Sequence, residues 1–146
     1  MKKRLPIYCL CLGAIALMTT LHGASADNSD PHFKPVEAVA SQSVTVSTPA
    51  GTGQLAVFAS NDLSLLQPDA TRAVIIIHGA LRNAAVFLES LRLTALAARS
   101  AGDHALLLAP QFLEEVDSQN PAVKRDWLRW PMGGWSGGGA CGTSFD

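Results

Sequence analysis

The chain has 146 residues, with 11 Lys+Arg against 12 Asp+Glu and a formal net charge of −1. That length fits one domain, and the charge balance leaves no basic stripe for a nucleic-acid backbone to follow.

In chain order, residues 1–26 read as a signal peptide. Lys2, Lys3 and Arg4 form a basic start, residues 7–18 are apolar but too few for a comfortable membrane span, and Ala24-Ser25-Ala26 offers a small-x-small cleavage pattern. Export by the general secretory route, to the periplasm or the medium, follows. Cleavage removes three of the 11 basic residues, leaving eight against 12 acids, a mature net charge of about −4. Cys9 and Cys11 leave with it. Cys141, as the sole mature cysteine, has no internal disulfide partner. No later segment is long enough to span a bilayer.

Residues 27–42 carry two prolines and little periodicity, and form an N-terminal arm; 43–146 form the main unit. Val44-Thr45-Val46 alternates as a short strand, residues 48–53 are turn material, and 54–59 read as a second strand, giving a hairpin. Residues 61–72 form a loop. AVIII at 73–77 is continuously apolar and β-branched, which suits a strand covered on both faces. A helix follows, with Asn83 as its expected cap. Ala84, Phe87, Leu88, Leu91, Ala95 and Ala98 share one face of it. Gly102 is the expected residue just past its end, with Arg99 in its last turn. ALLLA at 105–109 is a further buried-strand candidate, stopped by Pro110. Strand, helix, strand over 73–109 is a βαβ unit with a right-handed crossover, so the fold class expected is α/β with a mostly parallel sheet. Residues 111–126 are polar and acidic, and 127–142 are rich in Gly and Trp.

A strand ending in His78-Gly79 before a helix N-terminus places backbone N–H groups at the carboxyl edge of a sheet, where open α/β sheets bind ligands. Gly79 allows close approach, and the N–H of Ala80 or Leu81 can then face a developing oxyanion, a contribution of about 3 kcal/mol per donor in acyl-transfer sites. The run His78-Gly79-Ala80-Leu81-Arg82-Asn83 has neither G-x-G-x-x-G spacing nor a P-loop lysine, so a nucleotide cofactor is not expected. No His, Cys or Asp stands at ligand spacing from His78, so neither is a metal.

At His78-Gly79-Ala80-Leu81-Arg82-Asn83-Ala84 the sequence resembles exported members of the α/β-hydrolase family, which carry H-G-x-x-R-N-A after the third strand. The likeness extends loosely over 44–146. It implies a partial α/β-hydrolase fold, an oxyanion hole formed by Gly79, Ala80 and Leu81, and a serine nucleophile turn on a fifth strand followed by an acid and a histidine. It further implies that 127–142 is the loop before the helix leading to that strand, with Ser144-Phe145-Asp146 as the start of that helix. The substrate class it implies is a small-molecule or polymeric ester, or a related acyl compound.

Gly134-Trp135-Ser136-Gly137-Gly138 matches G-x-S-x-G, yet Ser136 reads as a decoy. No histidine follows it, Pro131 lies where a strand would run, and Gly137-Gly138-Gly139 is a poor helix start, at about 1 kcal/mol per glycine relative to alanine. No triad is therefore expected within these residues, and the chain alone is expected to be inactive. His78 is expected to order the loop rather than move protons. Arg82 is open between fixing the oxyanion loop and being a solvated charge. Trp127, Trp130 and Trp135 are open between walling a pocket and packing the glycine-rich loop onto the sheet. Glu114, Glu115 and Asp117 read as a solvated acidic face. The competing class is a short, non-catalytic exported binding protein or a truncated gene product.

Overall fold

The computed structural model describes residues 30–143. The expected signal peptide and the expected helix start at 144–146 lie outside them. The elements are β1 (Gln42–Thr48), β2 (Gly51–Ala59), β3 (Arg72–Ile75), α1 (Ala84–Ala97), β4 (Ala105–Gln111), β5 (Leu113–Glu114) and β6 (Arg129–Trp130), with short 3-10 turns at Pro31–Phe33, Arg99–Ala101 and Glu115–Gln119.

Four strands form one sheet in the order β1-β2-β4-β3, and β5 and β6 form a separate parallel pair. β1 and β2 make an antiparallel hairpin from Gln42↔Val57 to Thr48↔Gly51, closed by Pro49 and Ala50. The other edge of β2 pairs antiparallel with β4, Ala56↔Gln111 to Ala59↔Leu108. Within the four-stranded sheet only β3 and β4 run parallel, Arg72↔Ala105 to Ile75↔Leu108, with α1 crossing between them.

The sheet is therefore mixed and mostly antiparallel, curled into a half-barrel with one helix. This corrects the expected fold class: it is not the mostly parallel sheet of an α/β-hydrolase. The expectation leaned on the apolar run at 73–77, read as a strand covered on both faces. β3 is instead an edge strand whose four residues are all exposed. Continuous apolarity records what a strand is able to bury, not how many neighbours it has. The neighbour on the other side of β4 is the long hairpin strand β2, and that makes antiparallel pairing dominate.

Pro110 does not stop β4. It pairs opposite Val57, and the strand runs on to Gln111. On α1, Ala84 and Leu88 are buried against Leu107 and Ala109 of β4, with Leu91 and Ala95 partly covered beside them. Ala98, Leu93 and Leu96 face outward. Asn83 holds the N-cap position, but its side chain makes no capping bond. The helix ends at Ala97, so Arg99 falls in the following 3-10 turn rather than in its last turn. Gly102 closes that turn, and its need for glycine is steric: a Cβ there would collide with the Ala95 carbonyl.

A second apolar cluster joins the arm to the sheet. Val36 and Ala40 pack with Ala56, Leu113 and Trp127, and Phe58 touches both clusters. Burying side chains of the size of Leu113 contributes about 1.5–3 kcal/mol each. The arm is held as much by polar bonds as by this packing, and those bonds lead to the site.

Candidate functional site

His78 follows β3, and its ring is buried against Phe112 and Trp135, at centroid distances of 5.5 and 4.9 Å. The Phe112 N–H donates to Nε2 at 2.9 Å, so Nε2 is an acceptor. The proton therefore sits on Nδ1, which donates to the Gly79 carbonyl at 2.7 Å. Desolvation by burial lowers the His78 pKa below its ordinary 6.5; the Gly79 carbonyl bond opposes this, and the Arg82 cation adds to the lowering. A neutral ring with both nitrogens occupied orders the chain. In this arrangement neither ring nitrogen is free for another partner.

Arg82 is 0% exposed and sits at φ 56°, a left-handed backbone uncommon for a long side chain. Its guanidinium is fully employed. Nε donates to Asp117 at 2.8 Å, and one terminal nitrogen donates to Glu114 at 3.1 Å and to the Ala80 carbonyl at 3.2 Å. The other donates to the Lys34 carbonyl at 2.8 Å. A planar fork with five N–H donors is the side chain suited to so many acceptors at once.

Glu114 and Asp117 are 1% and 0% exposed, which corrects their reading as a solvated face; Glu115 alone of the three is exposed. Local sequence explains their placement. Glu114 caps the Glu115–Gln119 turn in a reciprocal capping box with Asp117, whose carboxylate accepts the Glu114 N–H at 2.7 Å. That turns both acids inward onto Arg82. Asp117 also accepts the Val36 N–H, and Glu114 accepts the Gly133 N–H, both at 2.8 Å. One buried network thus holds the arm, the turn after β3 and the glycine-rich loop together.

The consequence for the turn is geometric. The Gly79 carbonyl is held by His78 Nδ1–H and by the Arg82 N–H at 3.1 Å, and the Ala80 carbonyl by the Arg82 guanidinium. In a trans peptide the C=O and the following N–H point in opposite directions. Two consecutive carbonyls fixed toward the interior therefore direct the N–H groups of Ala80 and Leu81 away from it. Among the described residues neither N–H has an acceptor, and Gly79, Ala80 and Leu81 are exposed. A Cβ on Gly79 would meet nothing within 4 Å, and its φ lies outside the left-handed region. The chain itself does not require glycine there, whereas an approaching ligand gains room from it.

The tryptophans separate. Trp127 is 1% exposed and belongs to the core, so it walls no pocket. Trp135 stacks on Phe112 at 5.2 Å with planes 5° apart, and Trp130 meets Phe112 edge-on at 5.3 Å. Trp130 and Trp135 are half-buried and pack the loop beside His78. Arg129, also buried, donates to the Trp127 and Thr143 carbonyls and orders the same loop. The Ser136 hydroxyl donates to the Gly133 carbonyl at 3.1 Å and is exposed, with no histidine bonded to it. Cys141 is a free, exposed thiol.

Among the described residues no cluster of His, Cys, Asp or Glu is arranged to hold a metal, and no helix is long and apolar enough to cross a membrane. Neither a protein-family model, nor a curated protein, nor a solved structure matches the chain.

Proposed function

We propose that the turn Gly79-Ala80-Leu81 is the oxyanion-binding element of an exported serine hydrolase acting on ester or related acyl substrates, in the periplasm or outside the cell. One observation carries this reading: two adjacent N–H groups turned outward by carbonyls that His78 and Arg82 hold inward. Donors fixed before the reaction suit a charge that develops on a carbonyl oxygen, since no reorganisation is needed as it forms. Gly79 leaves the approach open, His78 and Arg82 position the turn, and Asn83 stands at the helix entrance behind it. In this reading the nucleophile, its base and the orienting acid come from outside the described residues. Ser136 takes no part, and the chain by itself does not turn over ester.

The test pairs two probes of the purified chain. Acetate, a small oxyanion, should shift the Ala80 and Leu81 amide resonances saturably and leave those of the β1–β2 hairpin in place. A serine-reactive phosphonate should leave Ser136 unlabelled. Unmoved Ala80 and Leu81 amides refute the oxyanion reading, and a phosphonylated Ser136 refutes the assignment of the nucleophile elsewhere.

A non-catalytic exported binding module is the second reading. It is favoured by the open edge of β3, where Val74 and Ile75 stand exposed, with Ile77 exposed just beyond the strand. A strand supplied by a partner would pair there.

A further inference from the structure

The arm and the first turn of α1 do not close against each other. Between them lies a cleft of about 390 Å³, walled on one side by Pro31 and Pro35 and on the other by Leu81, Ala85 and Val86. Its size falls at the small end of ligand pockets, and its walls are mainly apolar, as in such pockets. Left to itself, an apolar cleft of this kind would shut by moving the arm onto the helix. Bonds from beneath hold the arm back from that movement. The Lys34 carbonyl is held by Arg82, the Val36 N–H by Asp117, the Val36 carbonyl by Asn120, and the Ala38 carbonyl and Ala40 N–H by Gln111. Arg82, Asp117 and Gln111 are fully buried, so the support is stiff. The result is a preformed slot that leaves Val86 59% and Leu81 48% exposed.

Leu81 belongs both to this slot and to the turn with outward N–H groups. Lys34 and Glu37 both stand on the arm's wall and offset each other, so the slot selects for chain rather than for charge. We propose that the cleft between the arm and α1 binds the short, unbranched apolar chain of an acyl or carboxylate ligand. The oxygen end of that ligand is left to the turn Gly79–Leu81. This deepens the oxyanion reading and rests on it for the placement of the oxygen end alone.

The test titrates the 15N-labelled full chain with acetate, butyrate, hexanoate and octanoate. Shifts from the longer acids should gather at Lys34, Leu81, Ala85 and Val86. Affinity should rise twofold to fourfold per added methylene, as burial of about one CH2 at a time requires, and level off once the slot is full. Val86→Trp should weaken hexanoate at least tenfold and leave the acetate response of Ala80 and Leu81 unchanged. Leu93→Trp, at another exposed position of α1, should change neither. Affinity independent of chain length, shifts gathered elsewhere, or hexanoate binding untouched by Val86→Trp would each overturn the proposal. If hexanoate saturates at the cleft while acetate moves neither amide, the cleft stands and the oxyanion reading fails. If acetate moves both amides and chain length has no effect, the oxyanion reading stands and the cleft proposal fails.

Discussion

Replacing Arg82 tests whether the turn after β3 is held from within. Arg82→Met removes the cation shared by Asp117 and Glu114 and leaves two carboxylates, 0% and 1% exposed, without it. Breaking a buried ion pair by deleting one partner costs about 3–5 kcal/mol. Arg82→Lys is the graded comparison. It keeps the charge, but one ammonium cannot span both carboxylates together with the Lys34 and Ala80 carbonyls. Losing one bond to a charged group sets its cost at about 1.5–3 kcal/mol. Against a total stability of about 5–15 kcal/mol for an ordinary domain, both changes are large. Urea unfolding, followed through tryptophan fluorescence at low micromolar protein, should show midpoints lower by about 1–5 M for Arg82→Met and about 0.5–3 M for Arg82→Lys, given a slope of about 1–3 kcal/mol/M. The double variant with Asp117→Asn should be less unstable than the two single losses added together, since the pair is in contact. Wild-type midpoints for both Arg82 variants would refute the reasoning, because they would mean that the guanidinium is solvated and the turn is held by something else.

Three further outcomes follow from the same geometry. The His78 ring is held below its ordinary pKa, so its contribution to stability is complete above about pH 6.5. It is lost as pH falls from there toward the folded-state value, by at most about 1.4 kcal/mol per pH unit. Comparing the slope of stability between pH 7.5 and 5 in wild type and His78→Gln isolates that contribution; identical slopes would contradict a buried neutral ring. Gly79→Ala should fold with stability unchanged or raised by about 0.4–1 kcal/mol, since its Cβ meets nothing, while weakening acetate at Ala80 and Leu81 severalfold; a marked loss of stability would show that glycine serves the chain and not a ligand. The exposed edge of β3 is a template for unwanted pairing, so the wild-type chain should be poorly soluble. Ile75→Lys, at a position 59% exposed, should lower light scattering at a given concentration without lowering the unfolding midpoint, and unchanged scattering would remove β3 as the cause.

The alternation of Val44-Thr45-Val46 and the apolar runs at 73–77 and 105–109 made the strands legible, because each reports a local backbone period. Their arrangement was not legible in the same way. Which strand lies beside β4 depends on how far β2 extends past the hairpin, and the residues of β2 do not encode that by periodicity. Pro110 reads as a stop, yet it is accommodated within β4. The turn at Gly79–Leu81 was visible as residues, but its support was not. Arg82 meets Glu114 and Asp117 from 32 and 35 positions away, and buried acids look the same in sequence as solvated ones. A local signal did exist: Glu114 and Asp117 stand three apart just after a strand, the spacing of a capping box, which turns both side chains back toward the chain. Gln111, Asn120 and Phe112, which pin the arm and His78, offered no such mark. Trp127, Trp130 and Trp135 look alike in the glycine-rich stretch. Only packing separates the first, in the core, from the other two.

The most direct measurement is amide hydrogen exchange of the free chain, residue by residue. With the Gly79 and Ala80 carbonyls held inward, the Ala80 and Leu81 amides should exchange at nearly the rate of an unstructured peptide. The Phe112 and Arg82 amides, bonded to His78 and Gly79, should be strongly protected. Protection of Ala80 and Leu81 equal to that of Phe112 would mean that those donors already have partners inside the protein, leaving none to receive a substrate's negative charge.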